Sequence, residues 1–231
     1  LGVELFEGDT EGFSEGISAQ GLKKHNNPKL WTSFLKYQHD IDKEHYFTYG
    51  LTYAQGRQQE AHDEDEDEVN DHFFDGKSYL YGADFAYFYD NGREDGQGDM
   101  SFEIEYFRRD KELTVARHDL EADAIGLTQS NRQDGITIQG LYTFIPKFRA
   151  GARFEAVGFP NEVQEEAGDT IEKAPASYRS SLMADTILGK YNLLRFQVSH
   201  YDITTHEGDQ DFWTFTAQWQ LTFGAQKGFN F

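Results

Sequence analysis

Apolar and polar side chains alternate along the last part of the chain, residues 211–231. Every second position from 213 to 225 is apolar, and the positions between them carry threonine, glutamine or glycine; Lys227 is the exception to the apolar set. A period of two predicts a strand with one apolar and one polar face. The segment exceeds the roughly 5 to 6 residues of a typical strand and reaches the roughly 9 to 11 tilted residues that cross a bilayer.

The same alternation recurs over most of the chain and predicts an all-β protein of about ten antiparallel strands. No segment has the periodicity of a helix of useful length. The large apolar positions of the earlier segments are Leu1, Val3 and Leu5; Trp31, Leu35 and Tyr37; Phe47, Tyr49, Leu51 and Tyr53; Tyr79, Tyr81, Phe85, Tyr87 and Tyr89; Phe102, Ile104 and Tyr106; Ile136, Ile138, Tyr142 and Phe144; Phe148 and Phe154; Tyr178, Leu182 and Leu188; and Leu194, Phe196 and Val198.

The predicted connections alternate between short and long. Turn-forming residues such as Asn91 and Gly92 support the short connections, and the long ones are polar and acidic. The short turns are expected near residues 40–44, 90–98, 145–147 and 188–191, and the long loops near residues 57–77, 110–134 and 159–176. This asymmetry is typical of bacterial transmembrane barrels.

The C-terminal segment resembles the closing strand of Gram-negative outer-membrane β-barrels. Its insertion-signal positions are Trp219, Leu221, Phe223, Phe229 and the terminal Phe231. The resemblance implies a transmembrane antiparallel up-and-down β-barrel of the porin-like type, with short periplasmic turns and long acidic extracellular loops. It also implies the bacterial outer membrane as the location, outer-membrane lipid and lipopolysaccharide as surroundings, and the barrel assembly machinery as a partner during insertion.

One β-barrel domain over residues 1–231 is predicted, because a chain of this length fits a single unit. Residues 1–6 have the pattern of a strand rather than of a signal peptide. The chain is therefore expected to be a mature protein or the C-terminal portion of a larger, porin-like barrel. The oligomeric state is left open by the sequence.

Composition narrows the class of protein. Mean hydropathy is -0.73 and hydrophobic residues make up 38% of the chain, with no apolar run near the roughly 18 residues of a spanning helix. A helical membrane protein is thereby excluded. Aromatic residues make up 16% of the chain, including 20 Phe and 13 Tyr, which suits the aromatic girdles of a membrane barrel. A soluble β-sandwich or barrel is the alternative, and it predicts shorter strands and fewer outward aromatics.

The chain has no cysteine and a formal net charge of -20. The lack of cysteine excludes disulfides and thiolate metal sites. The negative charge argues against nucleic acid as a partner, because phosphate binding needs a basic surface, and it favours cations over anions near the loops.

Charged residues at the inward positions form the first candidate site. They are interpreted as pore-lining, which predicts a channel for passive passage of small hydrophilic solutes or cations. The alternative is that they pair across strands and plug a narrow lumen, leaving a structural or binding barrel. The residues are Asp84, Glu103, Glu105, Arg149, Arg153, Glu155, Arg179, Asp185 and Arg195.

The acidic, histidine-containing segment near residues 62–72 is the second candidate. Carboxylate oxygens and imidazoles are ligands for divalent cations, but the segment lacks EF-hand spacing. No cofactor is expected beyond a weakly bound divalent cation, with the candidate ligands His62, Asp63, Asp65, Asp67, Asp71 and His72. The alternative is a solvated acidic loop without a metal site.

His200, Asp202 and His206 form the third candidate, near a strand end. Omptin-like proteases and outer-membrane phospholipases are barrel enzymes that use His with acidic residues, or Ser with His and Asn. No local motif here matches either family, and His200 does not share a face with Ser199. An outer-membrane barrel enzyme is therefore the third hypothesis, behind the channel and the binding barrel, and no catalytic residue is predicted.

Overall fold

The computed structural model describes residues 1–7, 13, 29–62, 72–118, 122–164, 167–173, 175–189, 192–205 and 208–221. These residues form one antiparallel sheet of twelve strands and a single turn of 3-10 helix at Ala122–Ala124. The strands are β1 (Gly2–Phe6), β2 (Leu30–Asp40), β3 (His45–His62), β4 (His72–Tyr89), β5 (Met100–His118), β6 (Thr128–Ile145), β7 (Phe148–Val157), β8 (Glu162–Val163), β9 (Glu172–Lys173), β10 (Ser177–Gly189), β11 (Asn192–Thr205) and β12 (Gly208–Leu221). No helix within these described ranges is long and apolar enough to span a membrane.

Each long strand pairs with the next long strand along the chain, so β7 pairs with β10. The two-residue strand β8 pairs with β6, and β9 pairs with β8. The predicted all-β, antiparallel up-and-down architecture is confirmed. Ten strands form the main path, as expected, and β8 and β9 are additional. The sheet is open: no pairing joins β1 to β12 within the part of the chain that the structure describes.

The register separates an apolar face from a polar face across the whole sheet. For example, Phe154 of β7 lies opposite Ile138 of β6, while Arg153 lies opposite Gln139. Large apolar side chains on the first face are uncovered: Phe215 is 84% exposed and Trp213 62%. The alternation therefore places the apolar positions together, as the period of two requires, but no second layer covers them among the described residues.

The sheet curls toward its polar face. Tyr46 of β3 and Arg195 of β11 line one cavity of about 560 Å³. These strands are six places apart in the strand order, so in a flat sheet they would be roughly 29 Å apart at the usual strand spacing. A cavity of this volume can touch both strands only if the polar face is concave.

The short turns lie where they were predicted, between β2 and β3, β4 and β5, and β6 and β7. In the tightest of them, Lys147 has a φ of 65°, a left-handed conformation that is uncommon for a residue other than glycine. In the turn before β5, Gly92, Gly96 and Gly98 all have positive φ. These glycines adopt that conformation without steric cost.

Two of the long loops are much shorter than predicted. β3 and β4 continue in register to His62 and His72, and β5 runs to His118, so most of residues 57–77 and 110–134 is strand. The hydrophobic period disappears there because polar residues occupy most outward positions, while the apolar residues Phe74, Leu113 and Val115 lie on the polar face. An ion pair links β3 to β5 in this region: Lys111 Nζ lies 2.9 Å from the Glu60 carboxylate, with both side chains mostly buried.

The described part of the third long connection, residues 159–176, lies beside β6 beyond the last pair of β6 with β7. Its β8 pairs with β6 through Glu162 and Arg132. Ala167 packs against the buried apolar cluster of Phe74, Leu113 and Val115. This cluster lies at the long-loop end of the polar face, so that end is partly covered.

Candidate functional site

All the charged residues interpreted as pore-lining lie on the polar face. The register aligns Asp84 with Glu105 between β4 and β5. Across β7, β10 and β11 it aligns Glu155 with Arg179, and Asp185 with both Arg149 and Arg195. Glu103 and Arg153 both lie opposite Gln139 of β6. The structure therefore brings the whole set onto one concave surface. Three of its five acidic residues lie on β4 and β5, and all four arginines lie on β7, β10 and β11 together with Glu155 and Asp185.

Asp185 accepts hydrogen bonds from two of the arginines on β7 and β11. Its side chain is 1% exposed, and it accepts hydrogen bonds from Nε of Arg149 at 2.8 Å and from Nε and Nη2 of Arg195 at 2.7 and 2.8 Å. Two guanidinium groups share one carboxylate, so the cluster keeps a formal charge of +1. The burial of Asp185 is tolerated because both of its oxygens are satisfied by charged donors.

The other basic residues are held by neighbours on adjacent strands. Arg179 donates to Glu155 and to the hydroxyl of Tyr201. Arg153 donates its Nε to the Oε1 of Gln139 at 2.9 Å, a neutral acceptor, so its charge is not compensated by that contact.

The acidic side is different. The side chains of Asp84, Glu103 and Glu105 form no hydrogen bond or ion pair with any residue in the described ranges. Asp84 and Glu105 are directly opposed like charges, an arrangement that is unfavourable unless water or cations screen it. Gly50, opposite Asp84, leaves room for that carboxylate, since a Cβ at Gly50 would overlap it.

The cavity of about 560 Å³ lies between the two sides, at the short-turn end of the polar face. Glu103 and Asp99 line one wall, and Arg149 and Arg195 line the other. The cavity is therefore lined by charged groups of both signs. Such an arrangement can admit small polar or charged solutes, because each sign of charge meets a complementary wall.

Asp99 was not predicted from the sequence. Its Oδ1 accepts a hydrogen bond from the backbone N–H of Asn91 at 3.1 Å, whereas its buried Oδ2 has no partner among the described residues. Burial raises the pKa of Asp99, and the nearby Asp90 and Asp95 carboxylates raise it further, against the lowering effect of the Asn91 hydrogen bond. A lone aspartate in a turn gives no sequence signal of this kind, because its burial depends on the curled sheet.

The predicted metal ligands fall mostly outside the described residues. Asp63, Asp65, Asp67 and Asp71 lie there entirely, whereas His62 ends β3 and His72 begins β4. Among the side chains that the structure does describe, no group of three or more His, Cys, Asp or Glu is arranged to hold a metal ion.

Within the described residues, the structure does not bring His200 and Ser199 of the third candidate onto one face. His200 lies on the apolar face, where its Nε2 is 2.8 Å from Oδ1 of Asp211 and its ring packs against Trp213. Ser199 is on the opposite face, bonded to Ser181. Asp202 pairs in register with Asp211, and His206 lies outside the described residues.

The insertion-signal residues are described in part. Trp219 and Leu221 are exposed at the end of β12, on the apolar face. Phe223, Phe229 and Phe231 lie outside the described residues.

Comparison with known proteins gives one informative similarity. No protein-family model matches the chain. Over 167 residues the chain is 30% identical to an uncharacterized protein of Aquifex aeolicus (strain VF5). The matched region is 68% of this chain and 32% of that protein, so the chain spans about a third of the relative's length.

Proposed function

We propose that this chain forms a porin-like β-barrel channel in the bacterial outer membrane, for passive passage of small hydrophilic solutes or cations. The observation that carries the proposal is that apolar side chains are exposed on the outer face and charged side chains lie on the inner face, the reverse of a soluble protein. Large apolar residues such as Phe215 and Leu182 are exposed on the convex face, whereas Asp185 and its arginine partners lie on the concave face.

The convex face is suited to hydrocarbon rather than to water. Exposed apolar area costs about 25 cal/mol per Å² in water, and soluble monomers rarely present a contiguous apolar patch of more than a few hundred Å². Here the apolar positions continue from Trp31 on β2 to Trp219 on β12. A bilayer removes that cost. It also explains why the main-path strands after β1 are 10 to 19 residues long, since such strands are long enough to cross it.

Closure of the sheet is the second element of the proposal. Within the described residues, the outer edges of β1 and β12 have no strand partner, and their backbone groups need partners in a bilayer, where water is absent. The curl toward the polar face supports closure, because it already brings β3 and β11 to one cavity. In the closed barrel the polar face surrounds the lumen.

The direct test is conductance in planar lipid bilayers. We expect the purified protein, refolded in detergent and added to the bilayer, to give stepwise conductance in KCl. A KCl gradient should give a reversal potential favouring K⁺, because the unpaired carboxylates Asp84, Glu103 and Glu105 face the lumen. Detergent buffer and heat-denatured protein are the controls. Insertion without any conductance above that of the bare bilayer would rule out the channel.

A closed scaffold barrel is the second candidate, favoured by the coverage of one end of the polar face by Ala167 and the buried cluster beneath it. The same measurement separates the two functions. A scaffold inserts into the bilayer but does not conduct, whereas a channel narrowed at that end conducts with small steps.

A further inference from the structure

Three histidines occupy opposed positions at the long-loop ends of three neighbouring strands. In the antiparallel register His62 of β3 pairs with His72 of β4, and His72 pairs in turn with His118 of β5. His118 lies 46 positions after His72 in the chain, and it was not among the metal ligands predicted from the sequence. The fold therefore produces a row of three histidines that the sequence alone does not display.

A β-bulge creates this alignment. Phe74 pairs with Val115, so an uninterrupted register would place Arg117 opposite His72. The register instead shifts between Phe73 and Phe74, which brings His118 opposite His72. Bulges are frequent next to functional sites, where one extra residue changes which side chain meets the partner strand.

The spacing of the row fits one metal ion. Directly opposed residues on antiparallel strands share a face and have Cα atoms roughly 4.5–5.5 Å apart. Three consecutive strands therefore bring the backbone positions of the three histidines within about 10 Å, and three histidines are an established ligand set for one zinc ion. The register of β3 places the row on the polar face, two positions beyond Glu60.

Residues next to the row on β4 and β5 are packed. Phe74, two positions after His72, forms a buried cluster with Leu113 and Val115. The Arg117 guanidinium lies 4.9 Å from the centre of the Phe73 ring, and these two residues are paired in the register next to the row. A rigid frame of this kind lowers the entropic cost of gathering three ligands.

We propose that His62, His72 and His118 bind one divalent transition-metal ion, with Zn²⁺ the best match. Three imidazoles with water in the fourth position are an established tetrahedral zinc arrangement, and imidazole also suits Cu²⁺ and Ni²⁺. The segment between β3 and β4 is rich in aspartate and glutamate in the sequence, which raises the local concentration of cations. The site is additional to the proposed channel and does not require that the lumen conducts.

The test is calorimetric titration of the full chain, folded in detergent and freed of metal with EDTA, with ZnCl₂ at pH 7.5. We expect one Zn²⁺ per chain, and His62→Asn, His72→Asn and His118→Asn should each weaken binding at least tenfold, because even the loss of a residue that only supports a ligand weakens metal sites by 10 to 100-fold. His39→Asn is the matched control, since His39 is an exposed histidine on β2, and it should leave the affinity unchanged.

Two further measurements make the proposal falsifiable. Zn²⁺ should protect His118 but not His39 from diethyl pyrocarbonate, read by mass spectrometry on the unsubstituted protein, so a variant that fails to fold cannot obscure the result. A chain with Asp63, Asp65 and Asp67 all changed to Asn should still bind with the same stoichiometry. Unchanged affinity in His118→Asn, or loss of binding in the triple aspartate variant alone, would assign any bound metal to the acidic segment and overturn the proposal.

Discussion

Asp185 and Arg195 lie directly opposite each other on β10 and β11, and Arg195 donates two hydrogen bonds to the Asp185 carboxylate. The same carboxylate accepts a bond from Arg149 on β7. One buried acid therefore links three adjacent strands on the polar face, and it holds two guanidinium groups at the wall of the cavity.

Asp185→Asn should lower the free energy of unfolding by about 1–3 kcal/mol, because a neutral amide replaces the charged acceptor of both arginines. Urea unfolding of the protein folded in lipid–detergent micelles measures this change. Asp84→Asn is the control, since Asp84 lies on the same face and has no ion-pair partner among the described residues. It should change the free energy by less than about 0.5 kcal/mol; equal effects would contradict the anchoring role of Asp185.

Phe215 and Thr216 are consecutive residues of β12 on opposite faces, opposed respectively to Val198 and Gln197 of β11. If the apolar face meets lipid, Phe215→Arg should destabilise the membrane-inserted protein by about 2 kcal/mol or more, and Thr216→Arg should be tolerated. Equilibrium unfolding from phospholipid vesicles compares the two variants. In a soluble fold, Phe215→Arg should not be the more destabilising of the two substitutions. A larger loss of stability for Thr216→Arg would reverse the assignment of the two faces.

Gly151 of β7 lies against the backbone of β6. A Cβ at this position would overlap the carbonyl oxygen of Gly140 and come within 2.7 Å of Leu141 Cδ2. Because the Gly140 carbonyl belongs to the backbone and cannot rotate away from the added methyl group, Gly151→Ala should destabilise the sheet by about 1–3 kcal/mol. Gly135→Ala on β6 is the matched control, since its nearest neighbour would be 3.6 Å away. Thermal unfolding followed by circular dichroism should show a lower midpoint for the Gly151 variant alone.

Asp99, in the turn that precedes β5, should give a pH-dependent contribution to stability. Burial raises its pKa in the folded protein, so the folded state holds a proton at pH values where the unfolded chain, with a pKa of about 3.9, has lost it. The stabilising contribution is present below the unfolded pKa and is lost as pH rises through the folded pKa. Relative to the unsubstituted protein, Asp99→Asn should therefore become more stable as pH increases through that window in urea titrations.

Asp95 in the same turn provides a control of opposite sign. The hydrogen bond from Arg93 lowers the pKa of this exposed carboxyl. Its stabilising contribution is present above the unfolded pKa and is lost as pH falls through the folded pKa. Asp95→Asn should therefore lose stability relative to the unsubstituted protein as pH rises, and a parallel response of the two variants would contradict the account of Asp99.

The sequence by itself determined the two faces and the order of the strands. Alternation at Trp213, Phe215 and Trp219 is a local property, because the pleat sends successive side chains to opposite sides wherever a strand forms. Short connections force neighbouring segments to pair antiparallel. The assignment of Asp84, Arg149 and the other charged residues to the polar face follows from the same rule.

Only the tertiary structure decided which of these residues act together. Strand ends beyond the apolar band have no hydrophobic period, so the pairing of Glu60 with Lys111 and the true length of β3 to β6 could not be predicted. The sharing of Asp185 between two arginines depends on the register of three strands, and the burial of Asp99 depends on the curl of the sheet. The row of His62, His72 and His118 depends on a single β-bulge, which shifts the pairing of β4 with β5. The alternation of apolar and polar residues in the sequence gives no sign of this shift.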